Sequence, residues 1–142
     1  MRPVLVDSNV LLDVFTQDPA WEEWSSSILR GLVESRSLVV NPIIFAEVSV
    51  RFDSVEELEE SLPAAVFRRE SLPWDAAFLA GKSYLDYRHR GGLGRAPLPD
   101  FYIGAHAAVR DYALLTRDEK RYRSYFPTVE IIAPDQGELE PS

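Results

Sequence analysis

Short apolar runs recur along this chain between stretches of helical periodicity, and that alternation restricts the fold more than any other feature. Arg2 to Val6, Leu38-Val39-Val40, Ala113 to Thr116 and Val129-Glu130-Ile131-Ile132 are too short for helices and read as strands, with Ala65-Val66-Phe67 a weaker one. Between them, Asn9 to Phe15 places Val10, Leu11, Val14 and Phe15 on one side of a helix. Asp18-Pro19 supplies a cap and a first-position proline, and Trp21, Trp24, Ile28, Leu29 and Leu32 follow at helical spacing toward Arg36. Ile43 to Phe52 resumes the periodicity after Asn41-Pro42, and Ser54 with Glu57 has the spacing of a capping box for an acidic helix, Val55 to Ser61. Trp74 to Arg90 and Tyr102 to Tyr112 complete the helices, with Pro99 where the latter can begin. The expected fold is α/β: a three-layer domain with a central, mostly parallel sheet flanked by helices.

At 142 residues one such domain fits, with a boundary expected at 1–135 and a flexible tail at 136–142. The chain has no cysteine, which excludes thiolate zinc sites, thiol nucleophiles and disulfides and suits a reducing compartment. No signal-peptide pattern and no apolar run near the roughly 20 residues that span a bilayer is visible, so a cytoplasmic location without membrane contact is expected. A net charge of −8 argues at first against nucleic acid. Its distribution weakens that objection, because residues 81–123 hold nine Lys/Arg against five Asp/Glu while the remainder is strongly acidic.

Functional groups of open α/β sheets gather where strands end and helices begin. Asp7 follows the first strand and Asp118 the penultimate one, while Asp100 opens a helix and Glu47 interrupts the apolar stretch Pro42 to Val48. Each has a plainer reading: helix cap for Asp7, Asp100 and Asp118, and a buried acid paired with an arginine for Glu47. If they converge at about 5 Å, each pair repels by roughly 3 kcal/mol at an effective dielectric of about 20, which calls for a cation. Magnesium or manganese, bound by oxygens and retaining waters, meets that need and would activate water against a phosphodiester.

Arg88, Arg90, Arg95, Arg117, Lys120, Arg121 and Arg123 read either as a phosphate-binding rim, with Tyr122 or Tyr125 stacking on bases, or as a solvated face; Arg117 is favoured for the rim by its place beside Asp118. Asp13 is read as solvated. His89 and His106 are too few and too distant for a histidine metal site, with His106 assigned to packing or surface. Trp21 and Trp24 are read as core or dimer contact.

The segments Leu5 to Leu12, Ile44-Phe45-Ala46-Glu47, Leu98 to Ala107 and Leu114-Leu115-Thr116-Arg117-Asp118, in this order, resemble the PIN-domain pattern, in particular VapC toxins of bacterial toxin–antitoxin pairs. Tyr122 to Pro127 is similar as well. The resemblance covers nearly the whole chain. It implies a magnesium- or manganese-dependent endoribonuclease, a homodimer, and a small antitoxin of VapB type. It makes Asp7, Glu47 and Asp100 the core acids and Asp118 the fourth, all four catalytic and metal-binding. Thr116 is then the hydroxyl beside them, and Ser8, Asn9 and Arg117 join it as substrate-side residues. Gly104, one turn past Asp100, would allow a close approach by substrate or by a helix.

A phosphatase using Asp7 as nucleophile is disfavoured because Ser8-Asn9 stands where an Asp-x-Asp pair is needed, and a receiver domain because no early acidic pair exists. The rival from another class is a catalytically silent PIN-like module that acts by binding a protein.

Overall fold

The computed structural model describes residues 1–91 and 98–134, so the expected tail at 136–142 and most of the glycine-rich basic loop with Arg95 lie outside the described residues. Helical crossovers separate the strands and force parallel pairing. The chain runs β1 (Val4–Val6), α1 (Ser8–Phe15), α2 (Glu22–Val33), β2 (Leu38–Val40), α3 (Pro42–Ser49), α4 (Val55–Ser61), β3 (Phe67–Arg69), α5 (Trp74–His89), α6 (Leu98–Arg110), β4 (Ala113–Leu115), α7 (Glu119–Tyr125) and β5 (Ile131–Ile132). The five strands order as β3-β2-β1-β4-β5, every pair parallel, which sharpens the expected mostly parallel sheet.

Crossovers from β1 to β2 to β3 step one way and those from β3 to β4 to β5 step the other. Right-handed connections therefore put α1 to α4 on one face and α5 to α7 on the opposite one. The packing of α1 on α2 and of α5 on α6 follows this division. The central strands β1, β2 and β4 are buried throughout, as their unbroken apolar runs require.

Three expectations shift. The third strand is Phe67–Arg69, because Val66 and Phe67 donate main-chain bonds back to Pro63 and close a turn over Ala65-Val66. The helix after the basic loop begins at Leu98, so Asp100 lies in its first turn. An unforeseen helix, α7, occupies Glu119–Tyr125, a stretch of mainly polar residues without apolar periodicity. It is held by Tyr122 and Phe126, both buried, and the Phe126 ring lies against Gly104, where an added Cβ would stand 2.3 Å from a ring carbon. The close approach allowed by Gly104 is thus made by this chain's own phenylalanine. Among the described residues no helix is long and apolar enough to cross a membrane.

Candidate active site

The carboxyl ends of β1 and β4, where the crossovers diverge, form the topological switch point, the place of the ligand crevice in open α/β sheets. Asp7 enters it directly after β1, held by its main-chain N–H on the carbonyl of Leu115 (2.9 Å). It does cap α1, accepting from the Ser8 amide at 2.8 Å, but its other oxygen accepts from the Thr116 hydroxyl at 2.8 Å and the Tyr122 hydroxyl at 3.3 Å. Every one of these donors is neutral. Burial foremost, then the negative charges of Asp100 and Glu47, lift its pKa from 3.8 to about 6 against the opposing effect of the Thr116 and Ser8 bonds.

Glu47 projects from α3 and accepts from the Ser8 hydroxyl at 2.9 Å; among the described residues its donor is this hydroxyl and not an arginine. Asp100, in the first turn of α6, is bonded by Arg121, whose guanidinium also lies 3.4 Å from Asp118. Burial raises the Asp100 pKa, Arg121 lowers it, and the charges of Glu47 and Asp118 raise it. Asp7, Glu47 and Asp118 each perturb Asp100 or are perturbed by it, so the acids share one electrostatic site.

Hydroxyls and amides brace this cluster. Thr116 donates to Asp7 and accepts from the Asn9 side chain (3.3 Å) and the Asp118 amide (3.0 Å), while Asn9 accepts from the Arg117 amide at 3.3 Å. Ser8 joins Asp7 to Glu47. Tyr122 is buried beside them, and burial together with the charges of Asp7, Asp100 and Asp118 pushes its pKa well above 10, so it stays a phenol that donates. It is therefore no platform for bases. Tyr125 is likewise packed against Phe101 and Tyr87.

One reading of the sequence is corrected here. Asp13 is not solvated: it is 2 % exposed and accepts from Ser25 at 2.7 Å and from both Nε and Nη2 of Arg117 at 2.7 and 2.8 Å. Arg117 is thereby turned toward α1, over the Trp21 ring at 4.9 Å, instead of toward the acids. His106 is fully buried, as packing required, and more tightly specified than expected. The Asn41 carbonyl oxygen accepts from the Ile44 amide, so its amino group faces His106 Nδ1 (3.0 Å) and Nε2 carries the proton toward Glu70 (3.2 Å). Burial lowers the His106 pKa and keeps this neutral tautomer. Sequence reasoning missed the roles of Arg121 and Tyr122; a helix read over residues 119–125 would have revealed the i, i+3 spacing of Asp118 and Arg121.

The donors at the crevice are oxygens, suited to magnesium or manganese and ill suited to softer ions. Among the described residues no group of three or more histidine, aspartate or glutamate side chains forms a ready metal site. Magnesium retains several waters and needs only one or two protein carboxylates beside substrate oxygens. A groove of about 600 Å³ beside Pro42, Phe45 and Arg69 contains none of these acids, so charge and not concavity locates the chemistry.

A family model described as PIN domain matches residues 4–126. No match was found among curated protein sequences. Similar solved structures include VapBC2 from Rickettsia felis bound to a promoter DNA fragment, at TM-score 0.70 and 16% identity over 92% of this chain and 97% of that one. FitAcB from Neisseria gonorrhoeae aligns at TM-score 0.67 and 20% identity over 94% and 99%. VapBC-1 from nontypeable Haemophilus influenzae aligns at 0.70 and 16% over 92% and 96%. These likenesses establish the shared fold, and the family match across nearly the whole described sheet makes this chain a member of the PIN-domain family.

Proposed function

We propose that this chain is a magnesium- or manganese-dependent endoribonuclease acting as the toxin of a VapBC-type pair, working in the cytoplasm as a homodimer restrained by a small antitoxin. The observation that carries the proposal is the charge imbalance at the crevice: Asp7 is buried among other carboxylates and, among the described residues, has only neutral donors around it. PIN nucleases generally use divalent metals, and a further solved neighbour, from Klebsiella pneumoniae, is a toxin–antitoxin complex. Exposed Trp74, Phe78 and Leu85, spaced along one side of α5, offer apolar area for a second subunit.

Asp7, Glu47 and Asp100 would hold the ion, with Asp118 the fourth acid of the set. When bound, the ion supplies an activated water and charge stabilisation on the departing oxygen. Ser8 and Thr116 fix the carboxylates in orientation, Asn9 holds Thr116, and Tyr122 closes the site from below with a hydroxyl that does not ionise. Arg117 we assign to anchoring α1 through Asp13, not to substrate.

The test is cleavage of RNA by purified protein with magnesium or manganese, repeated with Asp7→Asn and Asp100→Asn. Cleavage lost in both variants is expected, as is growth arrest on expression that a small neighbouring gene product relieves. Cleavage unaffected by both substitutions, or absent in the wild type with either ion, would favour the silent protein-binding module.

A further inference from the structure

The number of cations at the crevice can be read from how its acids are already served, an inference that rests on the metal-dependent reading above. Among the described residues, Asp7 and Glu47 accept only from Ser8, Thr116 and Tyr122, none of them charged. Asp100 and Asp118 share the guanidinium of Arg121. A guanidinium does not lose its proton in a protein, so among the described residues one end of the cluster has a permanent positive charge and the other has none.

Arg121 is not a wandering surface side chain. Its side chain is only 23% exposed, and the backbone that carries it is fixed on both sides. Tyr122, the next residue, is buried with its hydroxyl on Asp7, and Phe126 lies on Gly104, one turn along α6 from Asp100. The helix that presents Arg121 is thus keyed to the helix that presents Asp100. A divalent ion placed between Asp100 and Asp118 would have to expel this cation from its pair of carboxylates.

The geometry points to Arg121 as a resident cation occupying the position of a second divalent ion, so that each chain binds a single magnesium or manganese at the Asp7, Glu47 and Asp100 end. Asp118 then serves Arg121, and Asp100 belongs to both ends of the cluster.

The experiment counts manganese by the paramagnetic resonance of the free ion during titration of wild type, Asp118→Asn, Asp100→Asn, Arg121→Gln and Arg121→Lys, with circular dichroism to confirm folding. Wild type is expected to bind one ion per chain. Asp118→Asn should keep that stoichiometry within about threefold of the wild-type affinity, whereas Asp100→Asn should weaken binding at least tenfold, the scale of losses at metal sites. Arg121→Gln should admit a second ion, and Arg121→Lys, which keeps the charge, should not. Should Arg121→Gln fail to fold, the Asp118→Asn and Arg121→Lys titrations decide. Two ions in wild type, or Asp118→Asn as damaging as Asp100→Asn, would overturn the single-ion assignment alone. No manganese binding by wild type would remove the metal-dependent reading and this inference with it.

Discussion

Two aspartates six positions apart, at the start of α1 and within it, are buried to nearly the same degree, Asp7 at 5% and Asp13 at 2% exposed. Their surroundings differ in one respect. Asp13 receives a two-pronged guanidinium from Arg117 and a hydroxyl from Ser25, and the arginine is covered in turn by Trp21. Among the described residues, Asp7 receives only neutral donors and faces other carboxylates. Burial of an acid does not by itself mark a working site, since a complete ion pair makes a structural anchor. A buried acid left without its counter-charge marks a place where a ligand is to supply it.

Substituting each aspartate separates these roles and gives the largest effects. Asp7→Asn should lower RNA cleavage by roughly 100-fold or more, the range over which lost catalytic groups are felt, without loss of stability. Asp13→Ala should cost about 3 kcal/mol of stability by stranding Arg117. Its manganese affinity should remain near that of wild type. Denaturant titration and cleavage rates measure both. A stability loss at Asp7 matching that at Asp13 would erase the distinction.

The pH dependence of stability gives the next largest effect and carries a definite sign. In chelator-treated protein Asp7 titrates near 6 when folded and near 3.8 when unfolded, so the folded chain binds the extra proton between those values. Asp7 should therefore contribute a rise in stability as pH falls from 7 toward 4, by up to about 3 kcal/mol for a difference of some two units. Asp100, also raised, adds in the same direction. His106, lowered by burial, opposes it as pH falls below its unfolded value of 6.5, and Glu70 and Glu130, both lowered by their hydrogen-bonded and charged partners, oppose it below their unfolded value of 4.5. Asp7→Asn should flatten the rise, and saturating manganese should raise the neutral-pH stability toward the acid value. An Asp7→Asn protein whose stability follows the same course from pH 7 to 5 as the wild type would contradict the assignment of an uncompensated acid.

The difference between the two aspartates was only half legible in the sequence. Asp7 was found because it ends an apolar strand, a position with chemical meaning in any open sheet, and Glu47 because it breaks an apolar run. Asp13 was misread because its partner, Arg117, lies 104 positions away, and no helical spacing connects them. Tertiary ion pairs leave no periodic trace. Strands β1, β2 and β4 were legible from their apolar runs, whereas α7 was not, since its helicity depends on Tyr122 and Phe126 docking at distant sites. With α7 unseen, Arg121 passed for one basic residue among several.

Gly104→Ala tests whether that docking supports the Asp7 side alone. The new methyl would stand 2.3 Å from the Phe126 ring, so the ring or the whole of α7 must retreat from α6. Overpacking of this kind costs roughly 1–3 kcal/mol. The retreat draws back Tyr122 from Asp7 and Arg121 from Asp100, because both residues ride on α7. Arg117 precedes that helix and is tied to α1 through Asp13, so its pair should survive. The expected result is a modest loss of stability together with weaker manganese binding, and Trp21 fluorescence, which reports on the Arg117 contact, unchanged. Manganese affinity equal to wild type in a destabilised but folded Gly104→Ala protein would mean that α7 does not shape the carboxylate cluster.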